Sequence, residues 1–226
     1  MKASLQIQIA RIDAVLPTLP ADPNSWLSPS EQARLQRLQI PSRRNQYLSG
    51  HWLARGLLAQ QHGGQAQDWI LRECPSLPPT VIGHDTATYL SLSHSGDWIA
   101  CALSDLPVGI DIEQRQPPRD ALLRFQHLLL AEGELPDTLT VDELLQRWVT
   151  KEAFVKQHHG SALPDELGAL RLQRVTGETA NVRMVTTEGF HLGVAADRAA
   201  AWDADSGHSI LARTMWHVGK PGVYYS

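Results

Sequence analysis

The chain has 226 residues, 42% of them apolar, and a formal net charge of −4. That is enough length for one large domain or two small ones with a real core, and the charge balance excludes general nucleic-acid binding. No apolar run nears the roughly 18 residues of a membrane span; the longest clear one is WIACAL at 98–103.

In chain order, Lys2 before SLQIQIA imitates the start of a signal peptide, but Leu5, Ile7 and Ile9 alternate with Gln6 and Gln8. That is the period of a strand and not of an unbroken apolar segment, so a first strand is expected over 1–12. SPSEQARLQRLQ at 28–39 reads as a helix opened by Ser28 or Ser30. A second helix is expected from Ser42 to about Gln61, stopped by His62-Gly63-Gly64. From Gln32 to Gln67 there are five arginines (Arg34, Arg37, Arg43, Arg44 and Arg55) and no carboxylate. Such a segment is either a solvated helix face or a site for a polyphosphate or an acidic protein surface, to which guanidinium groups are well matched.

Pro75, Pro78, Pro79 and Gly83 predict a loop over 72–86. Then YLSLSH, WIACALS and VGIDIE, separated by turns, predict three strands of an antiparallel meander between Tyr89 and Glu113. After Pro117-Pro118 helical spacing returns in DALLRFQHLLL and in VDELLQRWVTKEAFVKQHHG, the latter ended by Gly160. LGALRLQRV, NVRMVTT and FHLGVAA read as strands, followed by an irregular C-terminal tail. FHLGVAAD and WIACALSD share an apolar run ending in small residues and an aspartate, a faint sign of two similar halves. Only two cysteines occur, Cys74 and Cys101, in no metal-like spacing, and the expected setting is reducing and cytoplasmic.

Chemistry concentrates in two of these segments. In VGIDIE the strand period turns Ile110 and Ile112 one way and Asp111 and Glu113 the other. By itself that is compatible with ordinary polar-out decoration. In the helix holding WVTKEAFVK, at about 100° per residue, Glu152 and Lys156 fall at about 40° and 80° from Trp148, among Leu144, Leu145, Val149 and Val155. A surface Glu to Lys pair at this spacing would lie opposite that apolar stripe. Charges on an apolar face must instead be paired or bound to an ion. Asp111, Glu113 and Glu152 together offer hard oxygen ligands suited to Mg²⁺, and Lys156 a point charge for a phosphate. In SLSHSG, Ser93 and His94 end a strand; they are either structural hydrogen-bonding residues or phosphate contacts, since no nucleophile motif surrounds them.

SLSHSG, then GIDIE, then W-x-x-KE-x-x-x-K, in this order from Leu90 to Lys156, resemble the 4′-phosphopantetheinyl transferase superfamily, of the single-chain surfactin-synthetase-activating type. The likeness extends more loosely back to Ser28. The resemblance implies an α+β fold of two similar halves related by a pseudo-twofold axis, each with a small antiparallel sheet packed on helices. Residues 1–105 would form the coenzyme A side, and 106–226 would carry the acidic metal site. It implies transfer of the phosphopantetheine arm of coenzyme A to a serine of an acyl or peptidyl carrier protein, releasing adenosine 3′,5′-bisphosphate. Asp111, Glu113 and Glu152 would hold Mg²⁺, with Glu152 also the candidate base, and Lys156 would stabilise the transferring phosphate or the leaving group. Ser93, His94 and Lys151 would contact coenzyme A. The expected partners exclude nucleic acid and membrane, and a monomer is expected.

Two departures stand out. The family often carries Gly-Lys-Pro before the SHS strand, where LPPTVIGHDTATY has no lysine, and an arginine where Gln46 falls. Arg34, Arg37 and Arg44 would compensate at the nucleotide end. Two further readings predict different features: an idle binding module on the same fold would show a damaged acid set, and another Mg²⁺-dependent phosphoryl transferase would show a Walker-type loop or kinase signature. Neither feature is present in the sequence.

Overall fold

The computed structural model describes residues 4–75, 77–83, 88–115, 139–158, 164–176, 180–196 and 210–219, with scattered positions between 122 and 131. The alternating N-terminal run forms β1 (Leu5–Arg11), which pairs antiparallel with β5 (Trp98–Ser104); β5 in turn pairs with β4 (Tyr89–Ser95), so β5 is the middle of a three-stranded sheet. α2 (Pro29–Arg37) follows the short α1 (Ile12–Val15) and opens with a reciprocal cap, in which Ser28 Oγ accepts from the Glu31 N–H and the Glu31 carboxylate accepts from the Ser28 N–H. α3 (Pro41–His62) starts on a proline at its first position and ends at Gly63, whose φ of 87° suits glycine.

In the expected loop over 72–86, of which 76 and 84–86 lie outside the described residues, the chain instead forms a two-stranded hairpin, β2 (Ile70–Cys74) with β3 (Leu77–Ile82). Its register shifts between Arg72 and Cys74, opposite Pro78 and Pro79, and in a two-stranded ribbon a proline without an N–H is tolerated at such an irregularity. The meander is corrected too. β6 (Val108–Gln114) leaves the first sheet and founds a second, five-stranded antiparallel one with β7 (Arg171–Arg174), β8 (Val182–Thr187), β9 (Phe190–Ala196) and β10 (Ile210–Gly219), in the order β6-β9-β8-β10-β7. Of the C-terminal segment expected to be irregular, 197–209 and 220–226 lie outside the described residues, and Ile210–Gly219 is therefore an interior strand, β10. The Asn181 side chain holds its backbone at Val218 by two hydrogen bonds of 2.8 Å. LGALRLQRV splits between a short helix, α5 (Pro164–Ala169), and β7. The longer helix between β6 and β7, α4 (Val141–Gln157), is capped by Thr140. Gly160 and most of 116–138 lie outside the described residues, and no described helix is long and apolar enough to cross a membrane.

The layers follow from strand alternation. Ile99, Cys101 and Leu103 of β5 face Leu53, Ala54, Leu57 and Leu58 of α3, while Ala100 and Ala102 face Ile110, Ile112, Phe190 and Leu192 of the second sheet. The far face of that sheet takes α4 through Ala153, Phe154 and Val155. The result is helix, sheet, sheet, helix, with β6 showing its isoleucines to the first sheet and its carboxylates to α4. Two glycines let α4 come close. A Cβ at Gly109 would run into the Ala153 carbonyl oxygen and the Gln157 nitrogen, and one at Gly193 would stand 2.7 Å from the Val149 carbonyl oxygen. Gly109→Ala is expected to cost about 1–3 kcal/mol as overpacking, and to lower transfer by pushing α4 off β6. Urea unfolding with a parallel rate measurement checks both.

Candidate active site

The odd positions of β6 meet α4 where the backbones are closest, and this sets the site. Within the turn of α4 that Gly109 touches, the Lys156 ammonium lies 2.6 Å from Asp111 Oδ1, 3.5 Å from Glu152 Oε2 and 3.2 Å from Ser93 Oγ. Asp111 is almost fully buried, Glu152 about one-sixth exposed and Lys156 one-quarter exposed. Ser93 Oγ donates to Asp111 Oδ1 at 2.7 Å, and Ser95 Oγ donates to Glu113 Oε2 at 2.5 Å. The structure thus brings Asp111, Glu113, Glu152, Lys156 and Ser93 together.

The electrostatics of the cluster are those of a site short of positive charge. Burial and then the Asp111 charge push Glu113 up to about 7. Burial, Asp111 and Glu113 push Glu152 to about 7 as well, with Lys156 pulling the other way. Lys156 is raised although burial opposes its charge, because Asp111 and Glu152 outweigh that opposition. Asp111 Oδ2 is buried and accepts no hydrogen bond from the described residues. An unpartnered carboxylate oxygen beside two acids that hold protons near neutrality is a donor set for a hard cation. As folded, the ammonium of Lys156 gathers these acids, and among the described residues no three acid or imidazole side chains are drawn to metal-binding distance of one another.

Beside this cluster opens a cleft of about 590 Å³. Lys156, Arg43 and Arg34 make its cationic side, with His94 beside them, and Leu38, Leu77, Pro78 and Pro79 its apolar side. His94 is exposed at the cleft; desolvation by the walls and the nearby charges of Arg43 and Lys156 hold its imidazole below the ordinary value. Gln46 forms part of the lining, accepting from Arg43 Nη1 at 3.3 Å and donating to the Gly96 carbonyl at 3.1 Å.

A buried polar knot supports the cleft. Arg55, fully buried, holds the Glu31 carboxylate with both terminal nitrogens at 2.8 and 2.7 Å and lies 5.0 Å over the Trp26 ring. His51 faces Glu31 with one ring nitrogen at 2.7 Å and Glu73 with the other at 3.2 Å, so both nitrogens are donors and the ring is an imidazolium. Burial opposes that charge, yet the two carboxylates raise His51, and against its own burial Glu31 is drawn down to about 2 by His51 and Arg55. Tyr47 donates to Glu73 at 2.9 Å, and Tyr47, His51 and Glu73 all line the cleft.

Several expected contacts move. Arg44 donates to the Leu35 and Leu38 carbonyls at the end of α2, at 2.7 and 3.3 Å, and so caps a helix. Arg37 is exposed and not part of the cleft lining. Of the acid-free arginines only Arg34 and Arg43 line the cleft, while Arg55 is structural. Lys151 is fully buried and its ammonium donates to the Leu129 carbonyl. At about 100° per residue it lies roughly 140° around α4 from Lys156, which takes it away from the coenzyme A contact expected of it. Sequence reasoning missed Arg43 as the cleft arginine and missed the Glu31–His51–Arg55 knot. The sequence marks Ser28 or Ser30 only as a helix opener, and nothing in the spacing of SPSEQARLQRLQ says that Glu31 is buried.

No family model matches the chain. It is 28% identical to 4′-phosphopantetheinyl transferase Sfp of Bacillus subtilis (strain 168), over 66% of the chain and 68% of that protein. It is 31% identical to 4′-phosphopantetheinyl transferase psf-1 of Bacillus pumilus over 53% of the chain, a match spanning about half of that relative (52%). With 4′-phosphopantetheinyl transferase AcpT of Salmonella typhi it shares 33% identity over 51% of the chain and 71% of that protein.

Proposed function

The chain belongs to the 4′-phosphopantetheinyl transferase superfamily, and from that premise we propose that it transfers the phosphopantetheine arm of coenzyme A to a serine of an acyl or peptidyl carrier protein, with Mg²⁺, releasing adenosine 3′,5′-bisphosphate. The observation that carries this reading is the Asp111–Lys156–Glu152 cluster standing at one end of a cationic cleft. The serine oxygen bonds to the phosphopantetheinyl phosphorus, the bond from that phosphorus to the bridging oxygen breaks, and the bisphosphate leaves with the electron pair. Glu152 takes the serine proton. Lys156, fixed by Asp111, faces the cleft and stabilises charge on the phosphoryl oxygens. Asp111, Glu113 and Glu152 would hold Mg²⁺, which when bound neutralises the pyrophosphate oxygens. Arg34, Arg43 and His94 bind the nucleotide phosphates, and the apolar wall takes the base.

This arrangement also supports a division near residue 105 into two halves of related design, α3 over β5 and α4 over β9. A reducing, cytoplasmic setting fits a chain whose two cysteines are both free.

The decisive test is the intact mass of an apo carrier protein incubated with the protein, coenzyme A and Mg²⁺, with and without EDTA. One added phosphopantetheinyl group that EDTA prevents is the expected result; no gain across fatty-acid and peptidyl carriers would overturn the reading. In the same assay Arg43→Glu is expected to raise the KM for coenzyme A by about tenfold or more, the loss of a charge-assisted contact. Arg44→Glu is expected to act on stability and leave KM near wild type.

A further inference from the structure

We propose that Ser95 is a positioning residue that fixes the Glu113 carboxylate for a divalent cation, as one rung of a serine ladder that joins the two sheets. The inference rests on the acidic cluster being a cation site, as above.

β4 and β6 lie against one another but belong to different sheets, β4 pairing with β5 and β6 with β9. Between them the bonding partners are side chains. Ser91 Oγ accepts from the Ile110 N–H at 3.0 Å, Ser93 Oγ from Ile112 at 3.3 Å and Ser95 Oγ from Gln114 at 3.1 Å. Both residue numbers rise together, so the strands run parallel here, and three hydroxyl oxygens stand where carbonyl oxygens would stand in a ladder. The pattern in YLSLSHS is that of every second residue pointing the same way.

A serine hydroxyl has one proton to give. Once its oxygen accepts from the β6 backbone, the direction of that proton is limited. In Ser93 it goes to Asp111 Oδ1, and in Ser95 to Glu113 Oε2. Each of these hydroxyls grips a β6 carboxylate and the N–H of the residue after it, so the carboxylate is tied to the backbone that carries it. Ser91 makes the same backbone contact at Ile110, but the residue in the carboxylate position there is Gly109. The ladder therefore holds one rung that only joins strands and two that also orient acids. Ser93 is shared with Lys156, whereas among the described residues the one side chain bonded to the Ser95 hydroxyl is Glu113, which makes Ser95 the rung to test.

Outer-shell partners that orient ligating carboxylates typically cost 10–100-fold in metal affinity when removed. Ser91→Ala is a matched control, since it loses the same kind of strand contact and no carboxylate contact. The experiment titrates Mn²⁺, read by the electron paramagnetic resonance of the free ion, into the wild type, Ser91→Ala and Ser95→Ala, with thermal unfolding of each. The expected result is a Mn²⁺ Kd raised about 10–100-fold by Ser95→Ala and changed by less than about twofold by Ser91→Ala, with both variants losing Tm. Equal Kd changes in the two variants, or none in Ser95→Ala, would overturn the positioning role while leaving the cation site standing. A wild type that binds no Mn²⁺ would overturn the cation site itself, and the role of Ser95 with it.

Discussion

Replacing Glu152 with glutamine is expected to abolish transfer, by at least the 10²–10⁴-fold that a positioned general base contributes, while leaving the protein folded. The substitution keeps the shape and removes only the charge and the proton-accepting oxygen. Its effect on stability has a definite sign. Glu152 shares its surroundings with Asp111 and Glu113, whose charges both raise its proton affinity, and burial raises it further. Removing one of three crowded acids relieves that repulsion, so Tm should hold or rise slightly even as the rate collapses. Single-turnover mass gain on a carrier protein, with thermal unfolding in parallel, measures both. Retention of more than a small fraction of the rate would remove Glu152 as the base, and a falling Tm would mean that its contact with Lys156 outweighs the repulsion.

Lys156→Met should fail in both respects. Asp111 is nearly fully buried, its Oδ1 is held at 2.6 Å by the ammonium and its Oδ2 has no partner among the described residues. Taking away the cation leaves an uncompensated buried carboxylate, a loss of about 3 kcal/mol, at the low end for buried pairs because Lys156 is one-quarter exposed. The rate should also fall, because the cleft loses the charge that faces the transferring phosphate. The two effects separate in the double variant Lys156→Met with Asp111→Asn. Neutralising the aspartate removes the stranded charge, so denaturant stability should return most of the way while transfer does not. A double variant as unstable as the single would show that Lys156 stabilises through its packed methylene stem and not through its charge.

Where the sequence was legible, the reason was periodicity over one element. Leu5, Ile7 and Ile9 announce β1, the apolar stripe around Trp148 announces α4, and Ser28 marks the start of α2. The alternation of VGIDIE places Asp111 and Glu113 on one face, and the helical angle places Glu152 beside Lys156. These are properties of short segments, and local geometry preserves them in the fold. The prolines of β3 misled because their cost depends on whether a neighbouring strand asks for their N–H, and at an irregular point of a two-stranded ribbon none does.

By itself, then, the sequence determined the elements that carry the site, the faces on which the acids lie and the family to which their order belongs. Only the tertiary structure decided which side chains meet across those elements. Arg43 faces a cleft whose other wall, at Leu77, Pro78, Pro79 and His94, comes from far along the chain, whereas Arg44 turns back to the Leu35 and Leu38 carbonyls at the end of α2. Lys151 turns inward and Lys156 outward because Gly109 and Gly193 fix the rotation and depth of α4 on the second sheet. The serines of β4 meet the backbone of β6 because two sheets close on a shared apolar layer. Each of these is a contact between separate elements, set by how backbones approach, and no period within a single segment encodes it.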